Sequence, residues 1–69
     1  MADIRDLTII KESEAAYYLS QKIRNDDTRA WVPKSMIDYI KKHPRNKDGT
    51  QSCDIQIPDW LAEQKMFNF

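Results

Sequence analysis

The stretch that decides the fold is Cys53-Asp54-Ile55-Gln56-Ile57-Pro58-Asp59-Trp60-Leu61-Ala62-Glu63-Gln64-Lys65. Cys53, Ile55 and Ile57 alternate with Asp54 and Gln56, which is the period-two pattern of a strand with one buried face. At Pro58 the pattern changes. A proline near the first helical position has its φ preset, and Asp59 and Glu63 carry negative charge where the helix dipole favours it. Trp60 and Leu61 are expected to anchor this closing helix to the sheet, with Met66, Phe67 and Phe69 forming an apolar tail. A half-buried strand running straight into a helix sets the class as α+β.

Working back toward the amino terminus, residues 44–52 form a polar loop that holds the single glycine, and Asp48-Gly49 is a strong turn signal. Before it, Ser35-Met36-Ile37-Asp38 has the order of a helix start. Ser35 can accept from the backbone of the first turn, and Asp38 adds negative charge there. Met36, Ile37 and Ile40 supply an apolar face, Lys41, Lys42 and His43 suit the carboxy-terminal end, and Pro44 follows. A short helix over about 35–43 is the expectation, with a fourth strand through Met36–Ile40 as the competing reading. Further upstream, Leu7–Ile10 and Ala15–Leu19 are short β-branched or aromatic runs joined by polar residues. Arg24–Thr28 holds the turn formers, and Arg29–Val32 resumes the strand pattern until Pro33 stops it. The expected order is β-β-β-α-β-α, a small curled antiparallel sheet of three or four strands with two short helices.

Size and composition bound the function. The 69 residues make one small domain, 1–69, with 11 basic and 11 acidic side chains and a formal charge of zero. A domain this small buries only about 60% of its unfolded surface, which leaves little core in which to shape a catalytic cleft. The lone Cys53 excludes an intrachain disulfide. The longest apolar run, Ala15–Leu19, is five residues, far short of the roughly 20 that span a bilayer as a helix. The first residues lack the apolar segment of a signal peptide. The chain therefore reads as cytoplasmic, with no membrane partner.

Three further stretches carry a resemblance. Glu12-Ser13-Glu14-Ala15-Ala16, then Trp31-Val32-Pro33-Lys34-Ser35-Met36-Ile37, then Ile57-Pro58-Asp59-Trp60-Leu61-Ala62-Glu63-Gln64-Lys65 occur in that order. Together they resemble a family of short bacteriophage and prophage proteins with W-V-P-K-S-x-I and I-P-D-W-L-A-E-x-K motifs. The likeness spans about half the chain. The departure from the pattern between Tyr39 and Ser52 is a place for a function particular to this protein. The resemblance implies an origin rather than a chemistry: the cell would be a bacterial host. Small phage proteins commonly occupy host proteins, so the partner it implies is a host factor or defence complex, and the role anti-defence, anti-CRISPR-like.

Catalytic and metal chemistry find few residues to work with. His43 and Cys53 could form a thiolate pair only if the fold joined them, and Cys53 falls on the inward phase of its strand with Ile55 and Ile57. A structural zinc site needs four nitrogen or sulfur ligands, and the chain offers one histidine and one cysteine. Asp26-Asp27 reads as a solvated turn, Glu12 and Glu14 as solvated acids, and one glycine is too few for a phosphate cradle. The expectation is a non-enzymatic protein without catalytic residues, metal or cofactor.

Binding is the remaining class. Trp, Tyr, Met and Arg are the types enriched at interface cores and hot spots, and the exposed candidates are Tyr39, Met66, Phe67 and Phe69. The leading expectation is a binding module acting by contact with a host or phage protein. The alternative is single-stranded nucleic acid. Lys41, Lys42, Arg45 and Lys47 lie within seven residues free of acids, leaving the rest of the chain at a net −4. Tyr17 is the candidate stacking ring for that reading, although Tyr17 and Tyr18, adjacent in a strand, must point to opposite faces. Trp31 can be read equally well as core. A third reading is a structural or oligomerising accessory piece, a homo-oligomer formed through a sheet edge or the terminal aromatics.

Overall fold

The computed structural model describes all residues from Met1 to Phe69. It is a small α+β domain, as the pattern of residues 53–65 requires. Five strands form one antiparallel sheet: β1 (Ala2–Glu12), β2 (Ala16–Ile23), β3 (Asp26–Pro33), β4 (Tyr39–Lys42) and β5 (Gln51–Ile57). Their spatial order is β3-β2-β1-β5-β4, so β1 is central and β3 and β4 are open edges. One helix, α1 (Asp59–Gln64), follows β5. The sheet is uncurled, and the molecule measures 34 × 30 × 16 Å, two layers at its thickest.

Each connection has a local cause. Between β1 and β2 the Ser13 hydroxyl accepts from the Ala16 N–H at 3.0 Å, and the Ser13 N–H donates to the Ala16 carbonyl at 2.8 Å. The β2–β3 hairpin turns on Arg24 and Asn25, with Arg24 at φ +56°, so Ile23 faces Asp26 and the register of the whole hairpin is set. Between β4 and β5, Gly49 at φ +89° closes a turn in which Asp48 accepts from the Thr50 N–H and hydroxyl. That matches the Asp48-Gly49 signal.

The expected helix over 35–43 is a correction. A single 3-10 turn occupies Lys34–Met36, Ser35 caps nothing, and the chain then extends as β4. The Asp38 N–H donates to the Gln56 carbonyl at 2.9 Å, and Ile40 pairs with Ile55. The physical reason is the free edge of β5. Pairing with it satisfies the backbone along the segment, whereas a nine-residue helix is marginal alone and β-branched Ile37 and Ile40 disfavour it. Met36, Ile37 and Ile40 still pack against the core. The sheet thus has five strands rather than three or four, and one helix rather than two.

The register sorts the side chains into two faces. Ala2, Ile4, Leu7, Leu19, Val32, Cys53, Ile55 and Ile57 point to the inner face and are essentially inaccessible, with Tyr17 beside them. Leu61, Ala62 and Phe67 complete this core from above. The tail is tied down by Gln21, whose amide donates to the Asn68 carbonyl and accepts from its N–H, both at 2.7 Å. Met66 at φ +64° reverses the chain so that Phe67 turns inward and donates its N–H to Ala62. Two expectations for the helix and tail therefore change. Trp60 stays 57% exposed while Leu61 does the anchoring, and Phe67, expected at a partner surface, is core at 4% exposure.

Cys53 is fully buried, and desolvation, with the Asp54 charge, pushes its thiol up to about 11. In native protein it should resist a disulfide reagent such as DTNB and react stoichiometrically once denaturant is added. Fast labelling of the native protein would contradict this placement.

Candidate functional site

The outer face of the sheet is uncovered by any element of the chain. Direct cross-strand partners share a face, so the register places Lys11, Tyr18 and Trp31 in one row across β1, β2 and β3. Tyr18 and Trp31 stack with ring centroids 5.0 Å apart and planes tilted by 33°. This is the offset geometry that the quadrupoles of aromatic rings favour. Trp31 remains 45% exposed, so a core role for it is excluded. The next row contains Thr8, Ser20 and Arg29, and Lys22 with Asp27 lies beyond it.

A polar relay holds the surface around the ring pair. The Ser20 hydroxyl donates to Asp27, and the Arg29 guanidinium grips the other carboxylate oxygen at 2.9 Å. These bonds, the Ser20 hydroxyl first, hold the Asp27 carboxyl below the usual range. Arg29 is thereby fixed in the row beside Tyr18 and Trp31. Signs are mixed over the whole face: Lys11, Lys22, Arg29 and Lys41 are interspersed with Asp3, Asp27 and Asp54.

On the inner side, at the same end of the sheet, Glu12 bridges two lysines. Lys34 Nζ lies 2.8 Å and Lys42 Nζ 3.4 Å from its carboxylate, and both ammonium groups sit about 5 Å from the Tyr17 ring centroid. The Lys34 hydrogen bond, above all, keeps the Glu12 carboxyl below its ordinary value of 4.5, and Lys42 adds to it. The Tyr17 hydroxyl, and after it Glu12, raise the Lys42 ammonium. A depressed carboxyl contributes stability above its unfolded pKa and loses it as pH falls through the folded value. Glu12→Gln should therefore flatten the acid side of a Tm-against-pH curve below about pH 4.5 and leave the neutral side parallel to the parent. Identical acid limbs would contradict the bridge.

The structure does not bring the expected site residues together. Tyr39, 53% exposed, lies on the outer face at the β4 edge, in the row of Asp3 and Gln56 rather than that of Trp31. Met66 and Phe69 are exposed on the helix side, and Phe67 between them is buried. The basic segment is divided. Lys41 faces outward opposite Asp54, Lys42 is inward on Glu12, Arg45 folds onto the Gly49 carbonyl at 3.3 Å, and Lys47 is exposed on the loop. Tyr17 is a second correction, because the residue is 7% exposed and packs in the core while its neighbour Tyr18 takes the outward position. Cys53 and His43 lie on opposite sides of the sheet, the thiol in the core and the imidazole on Asp54, so they form no pair.

One concavity, of about 210 Å³, is open to solvent and includes Lys11, Glu12 and Arg45 in its wall. A different cluster, unmarked in the sequence, lies around Asp54. Its Oδ1 accepts the Asp6 N–H at 3.0 Å and its Oδ2 lies 3.2 Å from His43 Nε2, with the Asp6 carboxylate close by. The Asp6 N–H, and then His43, hold the Asp54 carboxyl below its usual range. No helix is long and apolar enough to cross a membrane.

No family model, no curated protein and no solved structure matches this chain.

Proposed function

We propose that the protein is a non-catalytic binding module that acts by protein–protein contact through the outer face of its sheet. The observation that carries this reading is the exposed Tyr18–Trp31 stack, with Arg29 held in the adjacent row, on a face that nothing in the chain covers. Trp, Tyr and Arg are the side chains that dominate interface energetics when a partner excludes water from them. The rings are already stacked, and Arg29 is already gripped by Asp27, so little rotamer freedom is left to lose on binding. Mixed charge across the face suits a protein surface of alternating sign better than a uniform polyanion. The likeness to short phage proteins makes a host factor or defence complex the natural partner.

Capture from a bacterial host lysate with matched baits tests this. Wild-type protein should recover a defined partner that a Tyr18→Ala/Trp31→Ala bait of unchanged fold does not. An empty eluate, or equal recovery by both baits, would count against it.

A second reading, single-stranded nucleic acid, draws on Lys11 standing in the row of Tyr18 and Trp31, with Arg45 at the same hollow. Bases stacking on the pair while the cations follow phosphates would give a steep salt dependence. Titration of a labelled oligonucleotide at low and moderate salt decides between the two. Tight, salt-sensitive binding lost in Trp31→Ala would replace the protein-contact reading.

A further inference from the structure

The trio Asp6, His43 and Asp54 lies at the β5–β4 end of the same outer face, across β1 from the Tyr18–Trp31 pair, and three strands cooperate to build it. Between Ile4 and Leu7, β1 carries a bulge opposite Asp54 of β5, and Asp6 takes φ +59° there. The bulge frees the Asp6 N–H from the ladder, and Asp54 Oδ1 captures it. That bond fixes the Asp54 carboxylate and aims its second oxygen at His43, which follows directly after β4 and continues the pairing by donating its N–H to the Ser52 carbonyl at 2.9 Å.

We propose that Asp6, His43 and Asp54 form a binding site for a late first-row divalent cation, of which Zn²⁺ is the representative. The ligand atoms of the three side chains lie within 4.8 Å of one another. The His43 Nε2–Asp54 Oδ2 separation of 3.2 Å matches the edge of a zinc tetrahedron, about 3.3 Å at ordinary Zn–N and Zn–O lengths. The Asp6 carboxylate makes no hydrogen bond or ion pair of its own; its side chain is exposed and its ligand oxygen lies within 4.8 Å of the other two, a distance that a side-chain rotation would close to the third position. With His43 as the Nδ1–H tautomer, Nε2 gives up its hydrogen bond to Asp54 and is free to ligate, and the trio presents two negative charges to the ion. Imidazole beside carboxylates selects zinc, nickel or copper over calcium and magnesium, which prefer all-oxygen shells. The Asp6 N–H orients Asp54 as an outer-shell donor orients a metal-bound carboxylate. Water completes the coordination, because the site opens on solvent.

The test uses untagged, chelator-treated protein titrated calorimetrically with ZnCl₂, then NiCl₂, CaCl₂ and MgCl₂. The expected result is one zinc per chain with micromolar or tighter affinity, a raised Tm, and binding to calcium and magnesium weaker by about tenfold or more. His43→Gln and, separately, Asp6→Asn should each weaken zinc by about tenfold or more while the metal-free Tm stays near the parent. Asp6→Asn keeps the backbone N–H that Asp54 uses, so it removes a ligand without removing the bulge contact. Zinc binding that does not reach the micromolar range, binding indifferent to both variants, or equal affinity for magnesium would overturn the site.

Discussion

Ile55→Ala is expected to cost about 2–5 kcal/mol, since large-to-small changes in a close-packed core lose both transfer free energy and the contacts around the new cavity. Ile55 is fully buried on β5, directly opposite Ile4 of the central strand and Ile40 of the edge strand, so its side chain joins three strands. A chain of 69 residues has a total stability of roughly 3–10 kcal/mol. The substitution therefore removes a large fraction of the margin, and in a domain of this size it should lower Tm by about 10 °C or more. Thermal unfolding followed by circular dichroism checks it. A Tm within a few degrees of the parent would mean that Ile55 does not sit at the junction of β1, β4 and β5.

If the proposed binding face is correct, Trp31→Ala carries the second large effect, on binding rather than folding. Truncating an interface anchor of this type costs about 2 kcal/mol or more, roughly a 30-fold loss of affinity. On the free protein the cost is smaller. Trp31 is half exposed at an edge strand, and the cross-strand pairing with Tyr18 contributes about 1 kcal/mol. The variant should stay folded while losing its partner, and this separation is what distinguishes a contact residue from a core residue. Tyr18→Ala should act in the same direction. Because the two rings touch, the double variant should lose less than the sum of the single losses. Trp31→Ala with unchanged affinity for a captured partner would place the contact surface elsewhere.

Much of the fold could be read from local pattern. The alternation of Cys53–Ile57, the Asp48-Gly49 turn, the run Ala15–Leu19 and the helix opened by Pro58 all state their structure within a few residues. What escaped depends on distant partners. Met36–Ile40 carries a helix-like face, but the open edge of β5, which begins more than ten residues later, decides its state. Phe67 and Phe69 look alike in sequence. Only the reversal at Met66 and the Gln21 clamp on Asn68 send the first inward and leave the second out.

The candidate surface was half legible. Adjacency of Tyr17 and Tyr18 implied that one ring faces outward, yet which one followed from the register of β2 on its neighbours. Trp31 became its partner because the two-residue turn at Arg24–Asn25 sets Tyr18 opposite Trp31. The basic run from Lys41 to Lys47 looked like one surface and is several, because strand alternation and Glu12 divide it. Asp6, His43 and Asp54 have no common motif at all, and only a bulge in the central strand brings them together.

The most direct test of the account places a photo-activatable residue at Lys11, exposed in the row of Tyr18 and Trp31, and in a second variant at Glu63, exposed on α1. Illumination in bacterial cells, the proposed host class, should give a discrete crosslinked protein species from position 11 and none from position 63. A crosslink from position 63 alone, or none from position 11, would contradict the assignment of the open sheet face as the working surface.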